Sequence, residues 1–173
     1  GLGTKGSVDE VRLLAQRAVQ AAKNHTSVAV VLPETSPEQV RRAAEGALSG
    51  AYKYTEYKTA DRRKKPQVTQ VDLVVSSRGK ALDTALQEAR VVDEAIRFAR
   101  DLVNAPPNDM HPVSLAERAV AFAKTAKVTA TVWNQKRLER ERMDLFLAVN
   151  RASAHEARLV HLAYKPAKAK KKV

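Results

Sequence analysis

The side chains of this chain that could take part in acid–base or metal chemistry are its histidines and its paired carboxylates. The histidines are His25, His111, His155 and His161. No two of them have the i, i+4 spacing of a helical zinc motif, and none stands in a catalytic order with a serine and a carboxylate. This spacing favours solvent or turn positions for His25, His111 and His155, and a half-exposed structural position within a strand for His161.

The carboxylates that stand close together are Asp93 with Glu94 and Glu139 with Glu141. Arginines surround both pairs at positions 90, 97, 100, 137, 140 and 142. Spacings of three and four residues predict ion pairs on solvent-exposed helix faces. The chain also lacks a P-loop, a G-x-S-x-G elbow and a dinucleotide fingerprint. We therefore assign no catalytic residue and no metal-binding residue.

A basic run at 58–65 is the one stretch whose composition suggests a binding surface. Three tyrosines precede it, Tyr52, Tyr54 and Tyr57, and base stacking beside lysine and arginine is how proteins hold single strands. The candidate nucleic-acid contacts are Arg62, Arg63, Lys64 and Lys65. A solvated loop, with the tyrosines packed at the end of a helix, is the interpretation that the pattern favours.

The element that must position everything else is a long amphipathic helix predicted over 80–104. Its apolar stripe is Leu82, Leu86, Ala89, Val92, Ile96, Ala99 and Val103. Pro106 and Pro107 stop the helix because neither can donate a backbone N–H. Asn104, Asn108 and Asp109 then either form a turn or direct polar groups into a cleft, and the adjacent prolines favour the turn.

The other elements alternate between helix and strand on both sides of this helix. Predicted helices cover 7–23, 36–51, 114–123 and 135–143, and predicted strands cover 27–32, 68–75, 128–133, 145–149 and 158–164. Capping boxes are expected at Ser7 and Ser114, and Gly46 with Gly50 permits close packing on the second helix. The alternation predicts an α/β fold made of two partial α/β lobes joined by the long helix.

The composition limits the classes of protein to which this chain can belong. With 173 residues, 44% of them apolar, the chain can build one domain or two small lobes. The absence of cysteine excludes a disulfide scaffold and a thiolate metal site, and favours a reducing cytoplasm. No apolar run approaches the roughly 20 residues needed to cross a bilayer, so no membrane partner is expected. The net charge of +12 is concentrated at 58–65 and 165–172, so it does not indicate a basic folded face.

Two stretches resemble the leucyl (cytosol) aminopeptidase family. AEGALSGAYKY at 44–54, followed by Tyr57-Lys58, is similar to that family's AEG-x-x-x-GAY-x-[FY]-x-x-YK stretch. RDLVNAPPNDM at 100–110 is similar to its RDLVN-x-PPN-[DE]-[ML] junction, in the family's order and at about its separation. Leu147-Ala148-Val149, Ala152-Ser153 and Arg158-Leu159 continue the likeness, which covers essentially the whole chain.

The resemblance implies a domain division and an activity. It places part of an N-terminal α/β domain at 1–78, a linking helix at 79–106 and the beginning of a metallopeptidase domain at 107–173. The family's enzymes are hexamers that use two divalent metals, manganese or zinc, to remove N-terminal residues, leucine preferred, from peptides. Their V-G-K-G-x-T-F-D and N-T-D-A-E-G-R-L metal motifs do not occur here, so this segment alone is expected to bind no metal and to be inactive.

Two features bear on how far the chain follows this family: four positions that differ from its relatives, and the basic run at 58–65. Where relatives usually have glycines, this chain has Arg142, Asp144, Asn150 and Arg151, which puts the local turn geometry in question. Some bacterial members of the family also bind DNA, so a DNA-binding or oligomerisation module that uses 58–65 is the alternative function.

Overall fold

A computed structural model of the chain describes residues 7–32, 34–63 and 68–166, without the side chains of Arg62 and Arg63. The chain forms two compact units, Gly1–Asp101 and Leu102–Val173. Within the described residues each unit combines helices with one two-stranded sheet. The predicted α/β fold class is therefore confirmed.

The elements follow the predicted order with two differences, a short additional helix and a helix in place of one strand. The elements that begin in the first unit are α1 (Val8–Ala21), β1 (Ser27–Val31), α2 (Pro37–Ala51), α3 (Ala60–Arg63), β2 (Gln70–Val74) and α4 (Lys80–Asn104). The second unit contains α5 (Pro112–Ala126), β3 (Thr129–Asn134), α6 (Gln135–Arg140), α7 (Asp144–Asn150) and β4 (Arg158–Ala163).

Helix α1 begins at the predicted capping box. The Glu10 amide donates to Ser7 Oγ over 3.3 Å, and the Ser7 amide donates to the Glu10 carboxylate over 2.7 Å. Hydrogen bonding to the Glu10 carboxylate, from the Ser7 backbone amide first and the Ser7 side chain second, stabilises its ionised form and lowers the pKa of Glu10. The reciprocal pair satisfies two backbone donors that the first turn of a helix cannot satisfy by itself.

Helices α1 and α2 pack against each other through the predicted glycine positions. A Cβ added to Gly46 would lie 2.0 Å from the Arg12 carbonyl oxygen, and one added to Gly50 would lie 2.6 Å from the Gln16 carbonyl oxygen. Both obstacles are backbone atoms of α1. The core of the first unit forms around this contact and includes Val11, Ala15, Val19, Val40, Ala43 and Ala47.

Strands β1 and β2 form a parallel pair, with Ser27 opposite Gln70 and Val31 opposite Val74. A parallel pair needs a crossover segment, and α2 lies in that segment. The prediction that β1 is covered on both faces is wrong for the described residues. Val30 is buried while Val31 is 70% exposed, because the packed helices cover only one side of the strand.

Helix α4 has the predicted bounds but only part of the predicted contact face. Leu82 and Leu86 pack against the core of the first unit, and Ala89 is fully buried. Further along, Val103 is 83% exposed and the buried position is Asp93. The prediction that Asp93 belongs to a solvent-exposed face is therefore wrong: its carboxylate is buried and paired with Arg97.

The turn after α4 confirms the role of the two prolines. The Asp109 and Met110 amides both donate to the Pro106 carbonyl over 2.9 Å, which closes a local turn. The N-cap of α5 is His111 rather than Ser114, so that prediction is wrong. Ser114 instead lies in the first helical turn, where its hydroxyl accepts from the His111 amide at 3.0 Å.

In the second unit β3 and β4 form an antiparallel pair, with Thr129 opposite Ala163 and Asn134 opposite Arg158. The predicted strand at 145–149 is wrong: these residues belong to α7. A short apolar run fits a strand or a helix equally well by periodicity. Leu145 is 88% exposed and Val149 is 90% exposed, so none of the described residues covers these two side chains.

Among the described residues of the second unit, two that are not glycine have a left-handed backbone. Lys127, the C-cap of α5, has φ 55°, and Arg142, in the turn after α6, has φ 53°. Side chains with a Cβ adopt this conformation at a steric cost that glycine avoids. The departure at Arg142 from the glycines usual in relatives thus occurs at a position where glycine is the favoured residue.

We expect Lys127→Gly and Arg142→Gly each to raise the free energy of unfolding of the second unit by about 0.5–1 kcal/mol. Trp133 is the only tryptophan of the chain and lies in this unit, so its fluorescence in a urea titration measures the change. Lys124→Gly is the matched control: Lys124 lies inside α5, where glycine should cost about 1 kcal/mol. Equal effects of the three substitutions would contradict the strain at positions 127 and 142.

Candidate functional site

The four candidate nucleic-acid contacts fall mainly outside the described structure. Arg62 and Arg63 end the short helix α3, but their side chains are not described. Lys64 and Lys65 lie outside the described residues altogether. The basic run therefore remains a prediction from the sequence.

The tyrosines before this run have structural partners. Tyr52 follows the last residue of α2, and its hydroxyl donates to Asp101 Oδ1 over 2.7 Å. The Arg100 guanidinium carbon lies 3.8 Å from the centre of the Tyr52 ring. Tyr54 donates to Glu56 over 3.1 Å, and partial burial together with this bond raises the pKa of Tyr54. The interpretation of Tyr52 as a residue that packs at a helix end is confirmed.

A stacked pair of histidines lies in the second unit. The ring centres of His111 and His155 are 3.9 Å apart and the ring planes differ by 7°. Nδ1 of His111 is buried and makes no hydrogen bond to the described residues. The contact joins the start of α5 to the loop between α7 and β4. The sequence separation of these residues is too large for any local pattern to predict the pair.

The surroundings of His155 do not form a nucleophile–base pair. Ser153 Oγ accepts a hydrogen bond from the His155 backbone amide over 3.0 Å, so the contact does not involve the imidazole. The His155 carbonyl accepts from Asn150 Nδ2 over 2.9 Å. A serine is activated when its hydroxyl donates to a base, and this arrangement does not provide that donation.

A polar depression of about 660 Å³ lies beside this loop. Its walls include Glu139, Asp144, Glu156, Arg151 and His155. Across residues 7–32, 34–63 and 68–166 no three histidine or carboxylate side chains are grouped as metal ligands. The described residues therefore do not fit a metal centre, and we assign them no step of metal-assisted hydrolysis.

Charged pairs elsewhere in the described structure are structural. Glu88 of α4 pairs with Arg41 of α2 over 3.6 Å rather than within its own helix. Glu141 pairs with Arg137 over 4.0 Å at the predicted i, i+4 spacing, and also with the adjacent Arg140 over 3.5 Å. His161 is exposed on β4. None of the helices in the described ranges has both the length and the apolar character needed to cross a bilayer.

Two family models match successive parts of the chain. The model of the cytosol aminopeptidase family N-terminal domain matches residues 1–61. The model of the same family's catalytic domain matches residues 97–173. Together they account for most of the sequence, in the order that the resemblance predicted.

Curated relatives match nearly the full length of the chain. A probable cytosol aminopeptidase of Leifsonia xyli is 36% identical over 168 residues, which is 96% of this chain and 33% of that protein. A probable cytosol aminopeptidase of Streptomyces avermitilis is 36% identical over 98% of this chain and 34% of that protein. The chain thus spans about a third of the length of these relatives.

Solved structures share the fold. A tomato leucine aminopeptidase mutant superimposes with a TM-score of 0.85 at 25% identity, over 98% of this chain and 36% of that one. The bottromycin maturation enzyme BotP in complex with Mn gives a TM-score of 0.79 at 27% identity, over 94% and 34% of the two chains. Family models, relatives and structures agree, and the chain belongs to the cytosol aminopeptidase family.

Proposed function

We propose that these residues act within a metal-dependent aminopeptidase that removes N-terminal amino acids, leucine preferred, from peptides. The observation that carries the proposal is the pair of consecutive matches to the N-terminal and catalytic domains of one aminopeptidase family. The proposed domain division is 1–78, 79–106 for the linking helix, and 107–173. Cytoplasmic location and a homohexamer belong to the same proposal.

The proposed enzyme uses two divalent metal ions, manganese or zinc. A relative whose structure was solved in complex with Mn supports a divalent metal. The part of this chain that the structure describes offers no group of metal ligands. The roles proposed for these residues are therefore to fold, to pack and to hold neighbouring parts of the enzyme, not to carry out hydrolysis.

The 173-residue chain should not hydrolyse leucine amide in the presence of Mn²⁺ or Zn²⁺. The measurement is product release by the purified chain, compared with buffer and with the same metals alone. A protein of the relatives' full length that contains these residues is the positive control. Metal-dependent turnover by the 173-residue chain, removed by a chelator, would contradict the assignment of catalysis to other residues.

The alternative function is DNA binding through residues 58–65, and the observation that favours it is five cations against one carboxylate in eight residues. Binding through several phosphates would weaken with salt, with a log–log slope of roughly −0.9 per phosphate on duplex DNA. Replacing Arg62, Arg63, Lys64 and Lys65 by alanine should abolish that binding.

Removing the same amount of charge elsewhere provides the control for the DNA-binding experiment. The terminal run offers four lysines for this purpose, Lys165, Lys168, Lys170 and Lys171. Their replacement by alanine should leave the affinity and the salt slope nearly unchanged. If both quadruple variants lose affinity equally, the binding depends on net charge and the alternative function is wrong.

A further inference from the structure

The first unit contains an apolar cavity of about 410 Å³ between α2, the β2 region and α4. Its apolar walls include Ala44, Ala47, Leu48, Val71, Leu73 and Leu86. The cavity exists because the side chains that α2 directs towards α4 are mainly small. Its volume and apolar lining are those of a small-molecule site, for which about 300–1,000 Å³ is usual.

Two arginines of α4, Arg90 and Arg97, line the same cavity. Arg97 is already engaged, because Nε donates to the buried Asp93 carboxylate and a terminal nitrogen donates to the Leu48 carbonyl over 3.0 Å. Arg90 makes no hydrogen bond or ion pair with the described residues. Since Asp93 neutralises Arg97, Arg90 supplies the net positive charge of the described residues that line the cavity.

We propose that this cavity binds a monoanionic amphiphile, namely an alkyl carboxylate of about eight carbons. The alkyl chain would replace water along the walls of α2 and β2, and the carboxylate would pair with Arg90. A guanidinium and a carboxylate form charge-assisted hydrogen bonds that a neutral head group cannot match. A dianionic phosphate would leave one charge unpaired, and a fully polar ligand would gain little from these walls. The proposal does not depend on the aminopeptidase function.

Titration of the ¹⁵N-labelled 173-residue chain with octanoate tests the proposal. We expect saturable shifts of the amides of Leu48, Val71 and Leu86. Butyrate, which is shorter by four methylenes, should bind roughly 250-fold more weakly, because each buried methylene contributes about fourfold in affinity. Octan-1-ol, which keeps the apolar chain without the charge, should bind about tenfold more weakly than octanoate.

Two variants test whether the ligand binds in this cavity. Arg90→Gln removes the charge of Arg90 from the lining of the cavity and should weaken octanoate about tenfold while leaving octan-1-ol unchanged. Ala51→Leu fills the rim of the cavity and should weaken both ligands. Arg78→Gln, an exposed arginine outside the cavity, is the matched control and should change neither affinity. Circular dichroism of each variant shows whether the fold is kept.

Three results would overturn the proposal. The first is the absence of saturable shifts with octanoate, and the second is saturable shifts confined to residues outside the cavity. The third is equal binding of octanoate and octan-1-ol together with no effect of Arg90→Gln, which would mean that the charge plays no part in recognition.

Discussion

Replacing Gly46 by alanine should lower the free energy of unfolding of the first unit by about 3 kcal/mol or more. The added Cβ would lie 2.0 Å from the Arg12 carbonyl oxygen and 2.8 Å from the Arg12 carbonyl carbon. Both atoms belong to the backbone of α1, so a change of rotamer cannot relieve the overlap. The helices would have to move apart, and the packing of buried Val11 and Ala15 would be lost with them.

The direction of the change in the free energy of unfolding distinguishes Gly46 from an ordinary helical glycine. An ordinary glycine within a helix gains up to about 1 kcal/mol when it becomes alanine, so a loss identifies the close contact between α1 and α2. Gly50→Ala should also destabilise, because its Cβ would lie 2.6 Å from the Gln16 carbonyl oxygen. Gly79 is the control: an added Cβ there meets no atom within 4 Å, and the change should stay within about 1 kcal/mol.

The first unit has no tryptophan, so tryptophan fluorescence cannot measure its stability. Amide hydrogen exchange of α1 and α2, followed in native buffer, gives the opening free energy of these helices directly. Unchanged protection in Gly46→Ala would mean that α1 and α2 do not approach each other as closely as the structure places them.

Replacing Asp93 by alanine should cost the first unit roughly 2 kcal/mol. Asp93 is 8% exposed, and its carboxylate accepts a hydrogen bond from Arg97 Nε at 2.5 Å. Removing the carboxylate leaves the guanidinium partly buried beside the Leu48 carbonyl without its counter-charge. Arg97 keeps some access to water, so the loss should be smaller than for a fully buried pair.

Glu94 provides the control for Asp93 because it is the neighbouring carboxylate and lies exposed on α4. Glu94→Ala should change the free energy of unfolding by less than about 0.5 kcal/mol. Asp93→Asn, which keeps an acceptor but loses the charge, should give an intermediate loss. Hydrogen exchange of the α4 amides measures all three variants. Equal effects of Asp93→Ala and Glu94→Ala would show that the Asp93–Arg97 pair does not stabilise the unit.

Much of the fold could be predicted because several of its determinants act over one helical turn. Ser7 and Glu10 complete their capping bonds within α1, and Pro106 prevents α4 from continuing whatever surrounds it. The glycines of α2 also indicated close packing correctly, although the sequence did not identify α1 as the partner. The bounds of α4, 80–104, agree with the prediction for the same reason.

The wrong predictions have a different cause. Each concerns residues whose structure depends on the segments that pack against them. The run at 145–149 has the composition of a strand, yet it has no sheet partner among the described residues and it forms α7. Asp93 has the spacing of an exposed residue, yet Arg97 allows it to be buried at the end of the contact face. The sequence pattern included Arg97 as a partner of Asp93, but not the distant Leu48 carbonyl that Arg97 also binds.

For the candidate site too, some features could be predicted from the sequence and others could not. The sequence alone determined the family, the start of α1, the bounds of α4 and the absence of the family's metal motifs, because these depend on the identity and order of nearby residues. Only the tertiary structure decided that His111 stacks on His155, that α2 and α4 line an open apolar cavity, and that Arg90 at this cavity makes no ion pair with the described residues. The physical reason is that stacking, enclosure and pairing are relations between segments far apart in the chain, and their distances are set only when the core packs.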